Sequence, residues 1–197
     1  MSTLLHRREV VRALLKDRNG MMVVGGLGAP AWDITDAGDE PTSFPMWGAM
    51  GGATMVGLGM AIAQPERKAL VITGDGEMLM GLGSLATIAV QSPPNLSIVV
   101  LDNEHYGETG MQETHTGHGV DLAAMAVAAG FKRTLNVKTE ADVAKLRDMI
   151  YNGEGTLFAL VKVDPEKLPL VLPPREGSYI KNRFRIAVLG PDAVHDE

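Results

Sequence analysis

The spacing of apolar residues divides the chain into alternating helical and extended stretches. Between Thr3 and Arg18, Leu4, Val11, Leu14 and Leu15 recur at helical intervals among charged residues, and Asn19-Gly20 supplies a stop. This pattern predicts an amphipathic opening helix. Met21 to Val24 is a short apolar run that ends in Gly25-Gly26-Leu27-Gly28, as a buried strand does on entering a tight loop. Leu70 to Thr73, Leu96 to Leu101, Lys132 to Val137 and Thr156 to Val163 are further strand candidates. Between them, Gly51 to Ala63, Met78 to Gln91, Asp121 to Ala129 and Glu140 to Asn152 read as helices. The alternation predicts an α/β fold, a three-layer sandwich with a mostly parallel sheet.

Local signals fix some boundaries. Asp121 and Thr139 suit helix N-caps, Asp142 stands three residues after Thr139 as in a capping box, and Gly130 suits a helix C-terminus. Asp33 to Pro45 is polar, holds two prolines and has no clear period, which predicts a surface loop. From Asp164 onward, Pro165, Pro169, Pro173 and Pro174 predict an extended tail over residues 164–197 that wraps another surface. With no repeat, no linker and 197 residues, the expectation is a single domain over residues 1–197.

Composition narrows the function. A formal charge of -6, with no dense basic run, argues against a nucleic-acid partner. No window approaches the roughly 20 apolar residues of a membrane span. The absence of cysteine removes disulfides and thiolate metal sites, and the charged amphipathic start lacks a signal-peptide core, so a cytoplasmic location is expected. Twelve methionines against nine aromatics point to adaptable packing in the core and at interfaces.

The candidate chemistry begins where Leu70-Val71-Ile72-Thr73 runs into Gly74-Asp75-Gly76, placing an acid at the carboxyl edge of a parallel sheet beside a helix N-terminus. One strand later, Ser97 to Leu101 delivers Asp102-Asn103 to the same edge. A carboxylate, an amide oxygen and backbone carbonyls suit a hard cation such as Mg²⁺, which completes its octahedron with phosphate and water. The glycines let backbone approach a phosphate closely, and the helix N–H groups favour an anion. Taken alone, Gly-Asp-Gly is more often an ordinary turn; its pairing with Asn103 carries the reading.

These residues resemble the thiamine-diphosphate enzyme family, whose pattern is Gly-Asp-Gly followed by Asn at the end of the next strand. The resemblance implies a thiamine-diphosphate-binding fold, with thiamine diphosphate and Mg²⁺ as cofactors. Asp75, the Asn103 side chain and the His105 carbonyl would hold the metal, and Gly74, Gly76 and the Glu77 amide would line the diphosphate. Glu77 departs from the small or hydroxyl residue of many relatives. Trp47-Gly48-Ala49-Met50-Gly51 is similar to the segment that holds the aminopyrimidine, with the Gly48 carbonyl accepting its amino group, Ala49 beside it and Met50 bending the cofactor. The stretch Tyr106-Gly107-Glu108-Thr109-Gly110-Met111-Gln112 is similar to a loop of sulfopyruvate and phosphonopyruvate decarboxylases. It nominates Tyr106 and Gly107 for cofactor binding, and Thr109 and Gln112, with Met50, for catalysis.

The length leaves room only for the diphosphate-binding half of such an enzyme. The resemblance therefore implies a hetero-oligomer in which a pyrimidine-binding alpha subunit supplies the activating glutamate, acting on a small anionic 2-oxoacid. A carboligating, acetolactate-synthase-like subunit and a non-catalytic cofactor-binding subunit are the alternatives. His115 and His118 read equally well as solvated loop histidines. Arg175, Lys181, Arg183 and Arg185 read mainly as surface pairing residues.

Overall fold

A computed structural model of the chain describes residues 4–194. The opening helix α1 (Arg7–Leu15) buries Val10, Val11, Leu14 and Leu15, the face its sequence spacing marks. Then follow β1 (Met22–Gly25), α2 (Ala29–Asp36), β2 (Ser43–Pro45), α3 (Ala53–Ala63), β3 (Ala69–Gly74), α4 (Asp75–Met80) and α5 (Ser84–Gln91). The second half holds β4 (Leu96–Asp102), a small hairpin of β5 (His105–Tyr106) and β6 (Gln112–Glu113), α6 (Leu122–Ala129), β7 (Arg133–Val137), α7 (Glu140–Tyr151), β8 (Leu157–Lys162) and α8 (Gly177–Leu189). Asp121 caps α6 through the amides of Ala123 and Ala124, and Thr139 with Asp142 forms a capping box on α7.

Six strands pair in parallel in the order β2-β1-β3-β4-β8-β7. The central strands are apolar on both faces, as a doubly covered parallel sheet requires. One face packs Val71, Ile98, Val100 and Phe158 against α3 to α6 and α8, while the other packs Leu70, Ile72, Val99 and Val161 against α1, α2 and α7. The result is three layers. From β1 the chain crosses outward to β2, then returns to the far side of β1 as β3. Such a switch in direction opens a crevice at the carboxyl ends of β1 and β3, where α/β sheets bind ligands.

Three expectations change. The predicted surface loop Asp33 to Pro45 begins with the last turn of α2 and ends in the edge strand β2. Asp33 is wholly buried because the guanidinium groups of Arg7 and Arg8 neutralise it, and Pro45, lacking an N–H, is tolerated on an edge strand. The helix expected from Met78 to Gln91 is broken at Gly81, where a Cβ would stand 2.2 Å from the Gly51 carbonyl oxygen. The break serves a close approach of two backbones. The tail is extended only until α8, whose Ile180, Phe184 and Val188 repeat every four residues and are buried; the expectation extrapolated the prolines too far. Before α8 the tail is tied down by Arg8 Nη2 to the Pro169 carbonyl at 2.9 Å and Trp47 Nε1 to the Pro174 carbonyl at 2.7 Å. Residues 195–197, and Thr3 at the start of the expected first helix, lie outside the described residues.

Candidate active site at the carboxyl edge of the sheet

The pairing of β3 with β4 sets Gly74 opposite Leu101, so Asp75 and the Asp102-Asn103 pair leave the sheet side by side. They open into a cleft of about 310 Å³. Of the residues predicted to form a site, Met50, Gly74, Asp75, Gly76, Glu77, Asn103, His105, Tyr106, Gly107 and Thr109 line this one cleft. Gly48, Ala49 and Gln112 do not. Gly48 and Ala49 are exposed beside Met50, and Gln112 is held at the rim by Thr109, whose hydroxyl donates to its Oε1 at 2.7 Å.

Asp75 heads α4 and is 1% exposed. Burial pushes its carboxyl above the ordinary range, against the hydrogen bond from the Thr114 hydroxyl, while the negative charge of Asp102 pushes it further up. Thr114 and Thr116 both approach Oδ2, and among the described residues no side chain donates to Oδ1. Each hydroxyl has one proton. Thr114 commits its proton to Asp75, which leaves Thr116 to donate to Asp102 Oδ1 at 2.8 Å. Lys162 Nζ lies 2.7 Å from Asp102 Oδ2 as an ionic contact and also reaches Glu104. Burial lowers the Lys162 pKa, but its hydrogen bonds to the two carboxylates outweigh that and hold it above the usual lysine value.

Asn103 sits in a tight turn. Its Oδ1 accepts from the His105 amide at 3.0 Å, and the His105 ring turns back so that Nδ1 donates to the Asn103 carbonyl at 2.8 Å. A ring nitrogen facing a carbonyl must carry the proton, so this imidazole is engaged locally. The amide oxygen of Asn103 keeps a second lone pair for a cation.

Glu77 is the unexpected member. Its buried Oε2 accepts from the Thr73 hydroxyl at 2.7 Å and the Leu27 amide at 3.1 Å, joining the loop after β1 to the start of α4. The amides of Gly51 and Ala53 lie near the carboxylate, yet Oε1 closes no full hydrogen bond. Burial raises its pKa for that reason, despite the bonds it does make. Its side chain serves the loop junction, a role the sequence did not suggest. Ala49, at φ 56°, adopts a left-handed conformation that costs a non-glycine residue about 1–2 kcal/mol. Such strain concentrates where a segment must present its backbone in one way.

A model of the family described as "Thiamine pyrophosphate enzyme, C-terminal TPP binding domain" matches residues 25–163. The chain belongs to this family. Its cofactors are accordingly thiamine diphosphate and Mg²⁺. The sulfopyruvate decarboxylase subunit beta of Methanothermobacter thermautotrophicus is 37% identical over 187 residues, covering 95% of this chain and 97% of that protein. The subunit beta of the same name from Methanocaldococcus jannaschii is 42% identical over 170 residues, 85% of this chain and 88% of that one. A phosphonopyruvate decarboxylase of Streptomyces viridochromogenes is 35% identical over 87% of this chain and 43% of its own length. Benzoylformate decarboxylase from Polynucleobacter necessarius shares the fold, with a TM-score of 0.72 at 20% identity over 85% of this chain and 35% of that one. This thiamine-diphosphate enzyme chain is a decarboxylase subunit.

The cleft of this family member fits its cofactor chemically. A carboxylate with one oxygen free of other side chains, an amide oxygen and open space at Gly74, where an added Cβ would meet nothing within 4 Å, suit a divalent cation bearing a diphosphate. Sequence reasoning placed Asp102 at the sheet edge but missed its partners Thr116 and Lys162, and Thr114, which fix the acid and the loop around it. No local pattern marks them, because their partners lie 14 to 60 residues away. His118 pairs with Glu113 at 3.1 Å on the surface, and Arg183 grips Asp39 through two bonds of 2.6 and 2.7 Å. The first pair is exposed, whereas the Arg183 side chain is only 11% exposed. No helix among the described residues is long and apolar enough to cross a membrane.

Proposed function

We propose that this chain is the diphosphate- and magnesium-binding subunit of a two-subunit decarboxylase acting on a small 2-oxoacid with a second anionic group, sulfopyruvate or phosphonopyruvate. The convergence of Asp75 and Asn103 on one cleft carries this reading, together with the near full-length likeness to subunits named sulfopyruvate decarboxylase beta. When bound, thiamine diphosphate supplies the carbon nucleophile and electron sink that let a 2-oxoacid lose CO₂.

The chain's own residues bind, orient and exclude. Asp75, the Asn103 amide oxygen and the His105 carbonyl would hold Mg²⁺, and Gly74, Gly76 and the Glu77 amide would receive the diphosphate. Gly48 and Ala49 would present backbone to the pyrimidine end, and Met50, which borders the cleft at 40% exposure, would pack against the cofactor and support its conformation. Tyr106 and Gly107 wall the site, while Thr109 and Gln112, already hydrogen-bonded to each other, handle a proton or the substrate's polar end. A separate pyrimidine-binding subunit supplies the activating glutamate, making the enzyme a hetero-oligomer. The exposed Trp47, Met50, Met80 and Met111 around the cleft suit burial against that subunit.

The test is co-purification with the partner subunit and measurement of CO₂ release from sulfopyruvate, phosphonopyruvate and pyruvate, with product analysis. Turnover by the mixed subunits on one of the two dianionic acids is expected. Turnover of pyruvate alone, or carboligated products, would overturn the assignment.

A further inference from the structure

We propose that Arg7, at the start of α1, is a direct ion-pair ligand of the cofactor's diphosphate, held in place by Asp33. The inference rests on the thiamine-diphosphate reading and adds a residue far in sequence from its motifs. Arg7 is 95% removed from solvent yet lines the cleft with Gly74, Asp75 and Gly107. Its Nη1 donates to the wholly buried Asp33. Among the described residues nothing accepts from its Nε or Nη2. A buried guanidinium with unmatched donors is costly unless an anion completes it.

The charge around it points the same way. Asp33 is shared, since Arg8 Nε also donates to it at 3.1 Å. Arg8 lies 3.7 Å from Asp36, which Arg12 holds at 2.7 Å, so three guanidinium groups face two carboxylates and one positive charge is left over. Among the described residues Arg7 is the only Lys or Arg lining the cleft, against Asp75, Glu77 and Glu108. A diphosphate brings more negative charge than one divalent ion cancels, particularly beside the Asp75 carboxylate. A fixed guanidinium, with its planar fork of donors, is suited to phosphate oxygens.

The cleft wall also includes Ala29 and Pro30 at the start of α2. That helix has no acidic residue in its first turn; Glu108, whose carboxylate packs against Gly28 at its start, forms no ion pair with Arg7 among the described residues. The Asp33 contact costs Arg7 one donor and fixes its orientation. Less side-chain entropy is then lost on binding.

The experiment measures thiamine diphosphate affinity with Mg²⁺ by calorimetry in the assembled enzyme, for wild type, Arg7→Met and Arg7→Lys. Arg7→Met should weaken binding roughly ten- to hundredfold, the range for a lost charge-assisted hydrogen bond, with Arg7→Lys between the two. Binding of Mg²⁺ with inorganic pyrophosphate should weaken in parallel, and the salt dependence of affinity should flatten. Since Arg7→Met leaves Asp33 with Arg8 alone, the Arg7→Met/Asp33→Asn pair repeats the measurement with the cluster's wild-type net charge and should show the same loss. An unchanged cofactor affinity overturns the proposal, as does a raised KM for the oxoacid alone, which would give Arg7 to the substrate. Wild type failing to bind thiamine diphosphate would instead remove the underlying reading as well.

Discussion

The break between α4 and α5 offers a sharp test of how the fold builds the site. It holds two glycines, Gly81 and Gly83, that the sequence does not distinguish. At Gly81 an added methyl would stand 2.2 Å from the Gly51 carbonyl oxygen, whereas at Gly83 it would meet nothing within 4 Å. Relief at Gly81 requires the distance from the added Cβ to the Gly51 oxygen to grow from 2.2 to at least 3.0 Å, which parts the two backbones. Overpacking of this kind costs about 1–3 kcal/mol, offset by about 0.4–1 kcal/mol from the stiffer unfolded chain, for a net loss of about 1–2 kcal/mol. In a chain of this size that lowers Tm by roughly 2–8 °C. The parting also displaces Gly51 and the neighbouring Met50, and misplacement near 1 Å can cost about 100-fold in rate. Gly81→Ala should therefore lower both Tm and kcat of the assembled enzyme. Gly83→Ala exchanges a slightly poorer cap for lost chain entropy and should stay within about 0.5 kcal/mol of wild type. Thermal unfolding and steady-state rates measure both. Equal behaviour of the two variants would refute the claim that the Gly51–Gly81 approach, rather than weak helix propensity, causes the break.

Lys162→Met should destabilise the chain by about 2–4 kcal/mol in urea unfolding, because it strands the buried Asp102 carboxylate; the estimate is discounted for the partial exposure of Lys162, and Lys162→Met/Asp102→Asn should recover most of the loss. Thr114→Val removes the hydroxyl that favours ionised Asp75 and should weaken Mg²⁺-dependent cofactor binding about tenfold or more in calorimetry; an unchanged Mg²⁺ affinity would mean that this hydrogen bond does not prepare the ligand. The Glu176 carboxylate is held below its usual range by the amides of Tyr179 and Ser178 at the start of α8. A depressed acid stabilises the fold fully above its unfolded pKa, and loses that effect as pH falls through the folded one. Amide-exchange protection in α8, taken relative to the intrinsic exchange rate at each pH, should therefore fall at acidic pH in wild type, and Glu176→Gln should flatten that dependence.

What the sequence revealed was what local chemistry dictates. Strands buried on both faces, such as β3 and β4, announce themselves as apolar runs, and the caps at Asp121, Thr139 and Gly130 are read from single residues. The Gly74 to Glu77 and Asn103 to Gly107 segments were legible because one motif occupies each strand end, and the register of β3 with β4 does the rest. The hidden parts depend on distant partners. Asp33 looks like a loop residue until Arg7 and Arg8 are folded onto it, and Thr116 links Asp75 to Asp102 only in three dimensions. Phe184 and Val188 reveal a packed helix where prolines had suggested an extended tail.

The account turns on a single divalent ion shared by the acid and the amide at the ends of β3 and β4. Titration of Mn²⁺ in the presence of thiamine diphosphate, followed by electron paramagnetic resonance, measures that site directly. One tight Mn²⁺ site per chain is predicted in wild type, lost in Asp75→Asn and weakened in Asn103→Leu while both variants stay folded. Tight cofactor-dependent Mn²⁺ binding that survives in both variants would contradict the account.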